Sequence, residues 1–370
     1  DHNLVPFRLS NRPMQLDFVK RLAETGASRV IELKARRVGG TSLFMNLALE
    51  RCQRRKNYGV LLLAQSDPDA RSFMKHGFQA AYDLMLDQIE LPDGTIFEPK
   101  CPLVSSSTTE MVFENGSYIV VGTAGSIRVG RGQSFDMVIG TEVARWDVGR
   151  PPGTAEETWA MAEGAIGDKA ESLAIQESTA YGAAGFFYDT YMKARAGENG
   201  YLALFYDWRW HPAYAYGEWD PRARPADRGP IALTEEEQRL GLTEAQARWR
   251  RATIASLGLS MFLQEYPEDD DTCFRVSGDP FFDIEIVDLR KRECRPVYGT
   301  GESGRLRVWR TPRVGERYIV SCDPGGEHTT QQYPSHEPDY TAVGVWDSHL
   351  NHCATLHGRW SVTAVADLIV

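Results

Sequence analysis

Two stretches of this sequence carry residue types suited to handling a triphosphate. In the first, an apolar run Arg29–Leu33 leads straight into Lys34-Ala35-Arg36-Arg37-Val38-Gly39-Gly40-Thr41-Ser42. A strand, a glycine-bearing loop, a hydroxyl residue and then a helix form the context in which backbone amides cradle phosphates. The helix N-terminus there favours negative charge. Laid on the pattern G-x-x-x-x-G-K-[ST], Gly39 and Thr41 fit, but Gly40 stands where the lysine belongs and Lys34 where the first glycine belongs. An ammonium on a flexible four-carbon stem is a movable point charge. Lys34 is therefore expected to reach the phosphates from the loop's other flank, with Arg36 and Arg37 adding charge. The alternative is a basic strand-to-helix turn that binds nothing.

The second stretch, Met137-Val138-Ile139-Gly140-Thr141-Glu142, is a short apolar run with an acidic end. Strands that serve nucleotide hydrolysis end in an acidic pair, the first residue for Mg²⁺ and the second to polarise the attacking water. Glu142 supplies the second. Thr141 occupies the first position and brings a hydroxyl without charge, so Mg²⁺ is expected to depend on Thr41 and the phosphates. Asp136 is no substitute, lying five residues earlier, about 16 Å along an extended strand. Farther on, Ser172–Gln176 continues through Glu177 to Ser178-Thr179, paired hydroxyls at a strand end that can sense a γ-phosphate or simply cap a turn. Near the start, the amide of Gln15 can offer both donor and acceptor to an adenine edge.

The elements that must position these residues are legible as an alternation. Apolar runs Arg29–Leu33, Gly59–Ala64, Met137–Gly140 and Ser172–Gln176 alternate with helix-like Thr41–Arg54, Pro68–Asp87, Thr154–Glu163 and Gly185–Ala196. This predicts an α/β layer with a mainly parallel sheet. Met111–Phe113 and Tyr118–Val121 flank Glu114-Asn115-Gly116-Ser117 and read as a hairpin forming a β insertion. From His211 to Pro230 four prolines mark an irregular connection. Capping boxes Thr234-x-x-Glu237 and Thr243-x-x-Gln246 then open two helices. On the second, Arg248 stands beside Trp249-Arg250-Arg251, a cluster expected to form a solvated face or a contact between subunits. Strands are predicted at Leu306–Val308, Tyr318–Ser321 and Thr341–Trp346.

Composition narrows the function classes. At 370 residues, two to three domains are expected. No stretch approaches the roughly 18 consecutive apolar residues of a membrane span, and no signal-peptide pattern opens the chain, so no membrane partner is expected. A first residue other than Met and an end inside an apparent element suggest a fragment of something longer. The net charge of −10 means that any nucleic acid is met by local patches rather than a general basic field. Cys52, Cys101, Cys273, Cys294, Cys322 and Cys353 include no C-x-x-C pair, which fits reduced thiols in a cytosolic protein.

Taken in order, these residues resemble the large terminase subunit of tailed bacteriophages, the ATP-driven motor that packs DNA into procapsids. The resemblance is carried by Gln15, Lys34 to Ser42, Arg131-Gly132, Thr141-Glu142-Val143-Ala144, Ser178-Thr179-Ala180-Tyr181-Gly182, Phe262-Leu263-Gln264-Glu265-Tyr266-Pro267 and Cys322-Asp323-Pro324-Gly325. The early lysine looks like the deviant phosphate loop of the lambda-type terminases. The family's acidic strand usually ends Asp-Glu, and Thr141 departs from it.

The resemblance implies an ASCE-type P-loop ATPase domain over 1–210, a small helical lid subdomain over 211–300, and an incomplete start of an RNase H-like nuclease domain over 301–370. It implies that Gln15 contacts adenine and that Lys34, Arg36, Arg37, Val38, Gly39, Gly40, Thr41 and Ser42 hold ATP with Mg²⁺. Glu142 would activate water, and Ser178 and Thr179 would couple hydrolysis to movement. Arg131, with Arg128 as rival, would reach the ATP of a neighbouring subunit. Asp323 would bind Mg²⁺ or Mn²⁺ in the nuclease; Asp339 and Glu327 are lesser candidates, and one acid cannot hold two metal ions. The implied partners are double-stranded DNA, the portal and procapsid, a small terminase subunit and further copies in a homo-oligomeric ring, in the host bacterial cytoplasm. Two other functions suit the same motifs: another P-loop helicase or translocase, and a non-hydrolysing scaffold or DNA-binding module.

Overall fold

The computed structural model describes residues 12–90, 95–125, 134–150, 153–167, 171–276, 290, 296–301, 304–324, 340–358 and 362–369. The chain divides into two compact units, Asp1–Pro280 and Phe281–Val370.

The first unit is organised by an eight-stranded sheet. Its strands are β1 (Arg29–Lys34), β2 (Gly59–Ala64), β5 (Leu103–Ser106), β6 (Glu110–Phe113), β7 (Tyr118–Thr123), β8 (Met137–Thr141), β9 (Leu173–Ser178) and β10 (Leu202–Tyr206), in the order β10-β1-β9-β8-β2-β7-β6-β5; β3 (Ile89–Glu90) and β4 (Ile96–Phe97) pair separately. From β10 to β7 every neighbour is parallel, and only the β7–β6 and β6–β5 pairings are antiparallel. β9 separates the loop strand β1 from the acidic strand β8, the order of an ASCE-type P-loop fold. The hairpin expected as an insertion is instead part of this sheet. Its second strand lies in register beside β2, Gly59 opposite Tyr118 through Ala64 opposite Thr123, because the alternate residues Ile119 and Val121 complete the core of one face.

Strands buried on both faces read as nearly continuous apolar runs, and β2 is buried at every position. Successive side chains go to opposite faces. Val30, Val60, Leu62, Ile139 and Ile175 pack under helices Pro13–Thr25 and Gly40–Arg54, where the Phe18 and Phe44 rings meet at 4.9 Å between centroids. Ile31, Leu33, Leu61, Val138 and Ala174 pack on the other face with Trp146, Trp159, Phe187 and Tyr191. The helix expected over Pro68–Asp87 is Asp67–Ser72, capped by Ser66, followed by a π-turn at Phe73–Gln79 and a last turn at Ala80–Asp83. Strand β10 was not anticipated.

Both capping boxes form, opening helices Glu235–Arg239 and Glu244–Leu257. The arginine-rich face of the second is not solvated. Trp249 stacks into the same core as Trp208 (4.7 Å between centroids) and Phe262. Arg250 is held by Glu268 (2.7 Å) and Glu236 (3.1 Å), Arg251 by Glu237 (2.5 Å) and Asp227 (2.9 Å), and Arg248 by the carbonyls of Asp227 and Gly229. A guanidinium can be buried when its fork of five donors is matched in this way.

The second unit is an antiparallel sheet ordered β11-β12-β15-β14-β13, from β11 (Gly299–Gly301), β12 (Leu306–Val308), β13 (Tyr318–Asp323), β14 (Thr341–Asp347) and β15 (His352–Gly358), with a helix at Val362–Ile369. The two strands expected at Tyr318 and Thr341 pair with each other, and β15, which was not expected, adds to β14. Asp347 closes the turn between β14 and β15 by accepting from the backbone N–H groups of His349 and Asn351. Among the described residues, no helix is long and apolar enough to cross a membrane.

Candidate nucleotide site

At the carboxyl edge of the first sheet, one row of inward side chains changes from apolar to polar. Val30, Ile175 and Ile139 are followed two residues later by Glu32, Glu177 and Thr141, which are register partners across β1, β9 and β8. Lys34 comes next on β1, on the same face. The apolar core of that face therefore ends in a buried group of two carboxyls, a hydroxyl and an ammonium.

The loop that follows β1 is held from several directions. Ala35 N–H bonds the Tyr206 carbonyl at 2.7 Å, Arg36 N–H bonds the Glu265 carbonyl at 2.8 Å, and the Tyr214 hydroxyl donates to the Arg36 carbonyl at 2.7 Å. Arg37 (φ 61°) and Gly39 (φ 101°) take left-handed backbone to turn the chain into the helix that starts at Gly40. Gly40 accounts for the displaced lysine. A Cβ placed there would sit 2.2 Å from Glu32 Oε1 and 3.2 Å from Lys34 Cδ. The stem of Lys34 and the carboxyl of Glu32 occupy the room a side chain at position 40 would need. Gly39 meets a similar limit, its hypothetical Cβ falling 2.8 Å from Gln15 Nε2, which donates to the Gly39 carbonyl at 2.8 Å.

Lys34 Nζ lies 2.9 Å from Glu177 Oε2 and 3.4 Å from Glu142 Oε1. The other oxygen of Glu177 accepts from Thr41 Oγ1 at 2.6 Å. Glu142, itself left-handed at φ 52°, accepts from Thr179 Oγ1 at 3.3 Å. Ser178 Oγ accepts from the Ala144 N–H at 3.2 Å, tying β9 to the turn after Glu142. Arg145 approaches Glu142 at 3.8 Å, pairs with Glu265 at 3.3 Å and lies over the Tyr181 ring. Glu265 also pairs with Arg36 at 3.4 Å.

Burial dominates the titration of this group. It pushes Glu32 up to about 8, with the charge of Glu177 adding and Lys34 opposing. Burial likewise raises Glu177, against the pull of Lys34. Burial also disfavours the Lys34 ammonium, but Glu177 and Glu142 outweigh it and raise that group. Neither oxygen of Glu32 has a hydrogen-bond partner.

The structure thus brings together Gln15, Lys34, Gly39, Gly40, Thr41, Glu142, Ser178 and Thr179. Val38 is buried in the core under the loop, while Arg36, Arg37 and Ser42 are exposed. Arg131 and its rival Arg128 lie outside the described residues. Asp323 stands exposed at the end of β13, opposite Ala342; Glu327 and Asp339 lie outside the described residues. Among the described residues no three His, Cys, Asp or Glu side chains are disposed to hold a metal by themselves.

No family model and no curated protein matches the chain. Among solved structures it is similar to the large terminase of bacteriophage HK97, at 15% identity over 93% of this chain and 61% of that one, with a TM-score of 0.47. It is similar to the large terminase ATPase domain of Thermus phage P74-26, at 14% identity over 72% and 94%, TM-score 0.40. A third is the large terminase of a thermophilic bacteriophage in complex with ADP, at 11% identity over 90% and 64%, TM-score 0.44. These structural neighbours are all bacteriophage large terminases. The chain spans 61% of the length of the HK97 protein.

Glu32, Glu177 and Arg145 join the site in addition to the residues expected from the motifs. The signal for the first two was present: a carboxylate inside a strand that is otherwise apolar and buried on both faces is costly unless it has work to do. Arg145 lies three residues after Glu142, but the partner that holds it more closely, Glu265, is 120 positions away.

Proposed function

We propose that this chain is the ATPase part of a viral DNA-packaging motor, binding ATP at the mouth of the Lys34–Ser42 loop and using its hydrolysis to translocate double-stranded DNA into a procapsid. The observation that carries the nucleotide reading is the position of Lys34 Nζ. It stands between Glu142 and Glu177, beside a hydroxyl at the start of a helix. An ammonium there can turn from carboxylates to phosphates, and the helix N-terminus adds backbone donors. The ordered motif set from Gln15 to Cys322-Asp323-Pro324 supports the packaging reading over a general helicase.

In this mechanism Glu142 orients water for in-line attack on the γ-phosphate, and Lys34 stabilises charge on the phosphoryl oxygens. Thr41 would help hold Mg²⁺, which would supply positive charge to the phosphates. Gln15 would offer its unpartnered Oε1 to the adenine amino group. Thr179 and Ser178, bonded to Glu142 and to the turn after it, would report the state of the site. Glu265 joins both Arg36 of the loop and Arg145 after Glu142, so the 211–300 lid would feel hydrolysis through it. Arg131 from a neighbouring subunit in a ring would complete the charge around the phosphates. DNA would be held by its backbone, making packaging steeply salt-sensitive. Asp323, at the end of the first long strand of the second unit, would contribute to a Mg²⁺- or Mn²⁺-dependent nuclease in a longer protein. The portal and a small terminase subunit would be partners of that whole machine.

Glu142→Gln tests the assignment. Nucleotide binding should persist while turnover falls by about 10²–10⁴, the usual span for losing a positioned acid–base group. Full turnover by this variant would reject the role.

A further inference from the structure

We propose that Glu177 on β9 is the metal-positioning carboxylate of the nucleotide site, filling the role that Thr141 leaves without a charge on β8; this rests on the nucleotide-site reading above. Thr141 and Glu177 are direct register partners on neighbouring parallel strands, so their side chains leave the sheet on the same face and at the same height. The acid has moved one strand sideways rather than along its own strand. Glu177 is fully buried, and its Oε1 accepts from Thr41 Oγ1 at 2.6 Å. It is therefore the carboxylate in contact with the one loop hydroxyl suited to a magnesium ion. Mg²⁺ is commonly held by one or two carboxylates together with phosphates and water, so a site with a single such acid suffices.

A second, independent observation is a buried carboxyl beside Glu177 that no group among the described residues satisfies. Glu32 lies opposite Glu177 on β1, fully buried, with both oxygens unpartnered and one of them against the first residue of the helix. Around Lys34 stand three carboxyls, Glu32, Glu177 and Glu142, and no second cation is paired with Glu32 or Glu177 among the described residues. Buried carboxyl oxygens so short of hydrogen-bond donors would be stabilised by a divalent ion and its water, leaving Lys34 free to turn toward phosphate.

The test measures coupling between metal and nucleotide, not turnover. Displacement of a fluorescent ADP derivative by ATP-γ-S is titrated with Mg²⁺ and with EDTA, and Mn²⁺ seated with ADP is followed by its EPR signal. Glu177→Gln should weaken metal binding in the presence of nucleotide by about 10–100-fold, the usual cost of disturbing a group that orients a metal site. Affinity without metal should change far less than affinity with metal. Adding Thr141→Asp, which returns the acid to β8, should restore the coupling. If Glu177 served only as a counter-ion to Lys34, metal-free affinity would change, the metal dependence would survive and Thr141→Asp would rescue nothing; that pattern overturns the assignment. Circular dichroism monitors folding. Should Glu177→Gln not fold, Glu177→Asp keeps the charge but withdraws it by one methylene: weakened Mn²⁺ seating upholds the assignment, and unchanged seating rejects it. Failure of the unaltered protein to bind any nucleotide would instead sink the underlying nucleotide reading.

Discussion

Two groups of buried charges in the first unit solve the same problem in opposite ways. Around Arg248, Arg250 and Arg251, guanidiniums and carboxylates are matched. Asp227 and Glu237 each accept from Arg251, Glu268 accepts twice from Arg250, and the carbonyls of Asp227 and Gly229 accept from Arg248 together with the Glu244 carboxylate. There, hydrogen bonds from arginine hold Asp227 and Glu237 below the usual carboxylate range. Around Lys34 the carboxyls outnumber the cation, Glu32 is unpartnered, and burial raises both Glu32 and Glu177. The matched group is architecture. The mismatched group is poised to accept something, because its unpaired polar atoms cost stability that the chain alone does not recover.

Removing the cation from each group tests this contrast and should give the largest effects. Lys34→Met should depress ATP turnover by about 10²–10³, as expected for losing a preorganised electrostatic group. Its fold should survive better, because Glu32 and Glu177 can take up protons. Arg251→Met should do the reverse. It leaves the nearly inaccessible Glu237 without its arginine and Asp227 with Arg224 alone, and should cost about 3 kcal/mol in denaturant unfolding with nucleotide affinity intact at permissive temperature. If both variants lose stability and activity in the same proportion, the distinction between the two groups fails.

How much of this was readable in advance follows from the range of each interaction. The central strands were legible because burial on both faces demands apolar runs, and both capping boxes because their signal is local. The hairpin's place in the main sheet was not, since nothing within Met111–Val121 says which strand lies beside it. The arginine helix was misjudged for a similar reason. The carboxylates that bury Arg251 and Arg250 lie 14, 18 and 24 positions away. Within the site, Gly40 was seen as a departure from a pattern, but its cause is spatial: Glu32 and the stem of Lys34 fill its neighbourhood. Gly40→Ala should accordingly cost about 1–3 kcal/mol through overpacking. Combined with Glu32→Ala it should cost less than the sum of the two, and strict additivity in that double-mutant cycle would remove the steric account.

The most direct reading of the contrast is in how stability varies with pH. Glu32 is raised from 4.5 to about 8 in the folded protein. Between those values the native state holds a proton that the unfolded chain has released, so this group's contribution falls as pH rises from about 4.5 to 8 and is level beyond. Asp227 and Glu237 are lowered, so their contribution is present above the unfolded carboxylate range and is lost as pH falls below it. The two limbs come from different parts of the same unit and can be removed separately. Glu32→Gln, which keeps the shape and cannot ionise, should flatten the decline of Tm on the neutral side by several degrees, at roughly 2–4 °C per kcal/mol for a domain of this order. It should leave the acid limb in place. Melting curves across this range decide the matter: an unchanged neutral-side slope in Glu32→Gln would mean that the buried carboxyl finds a partner in solution and that the two groups differ less than their geometry indicates.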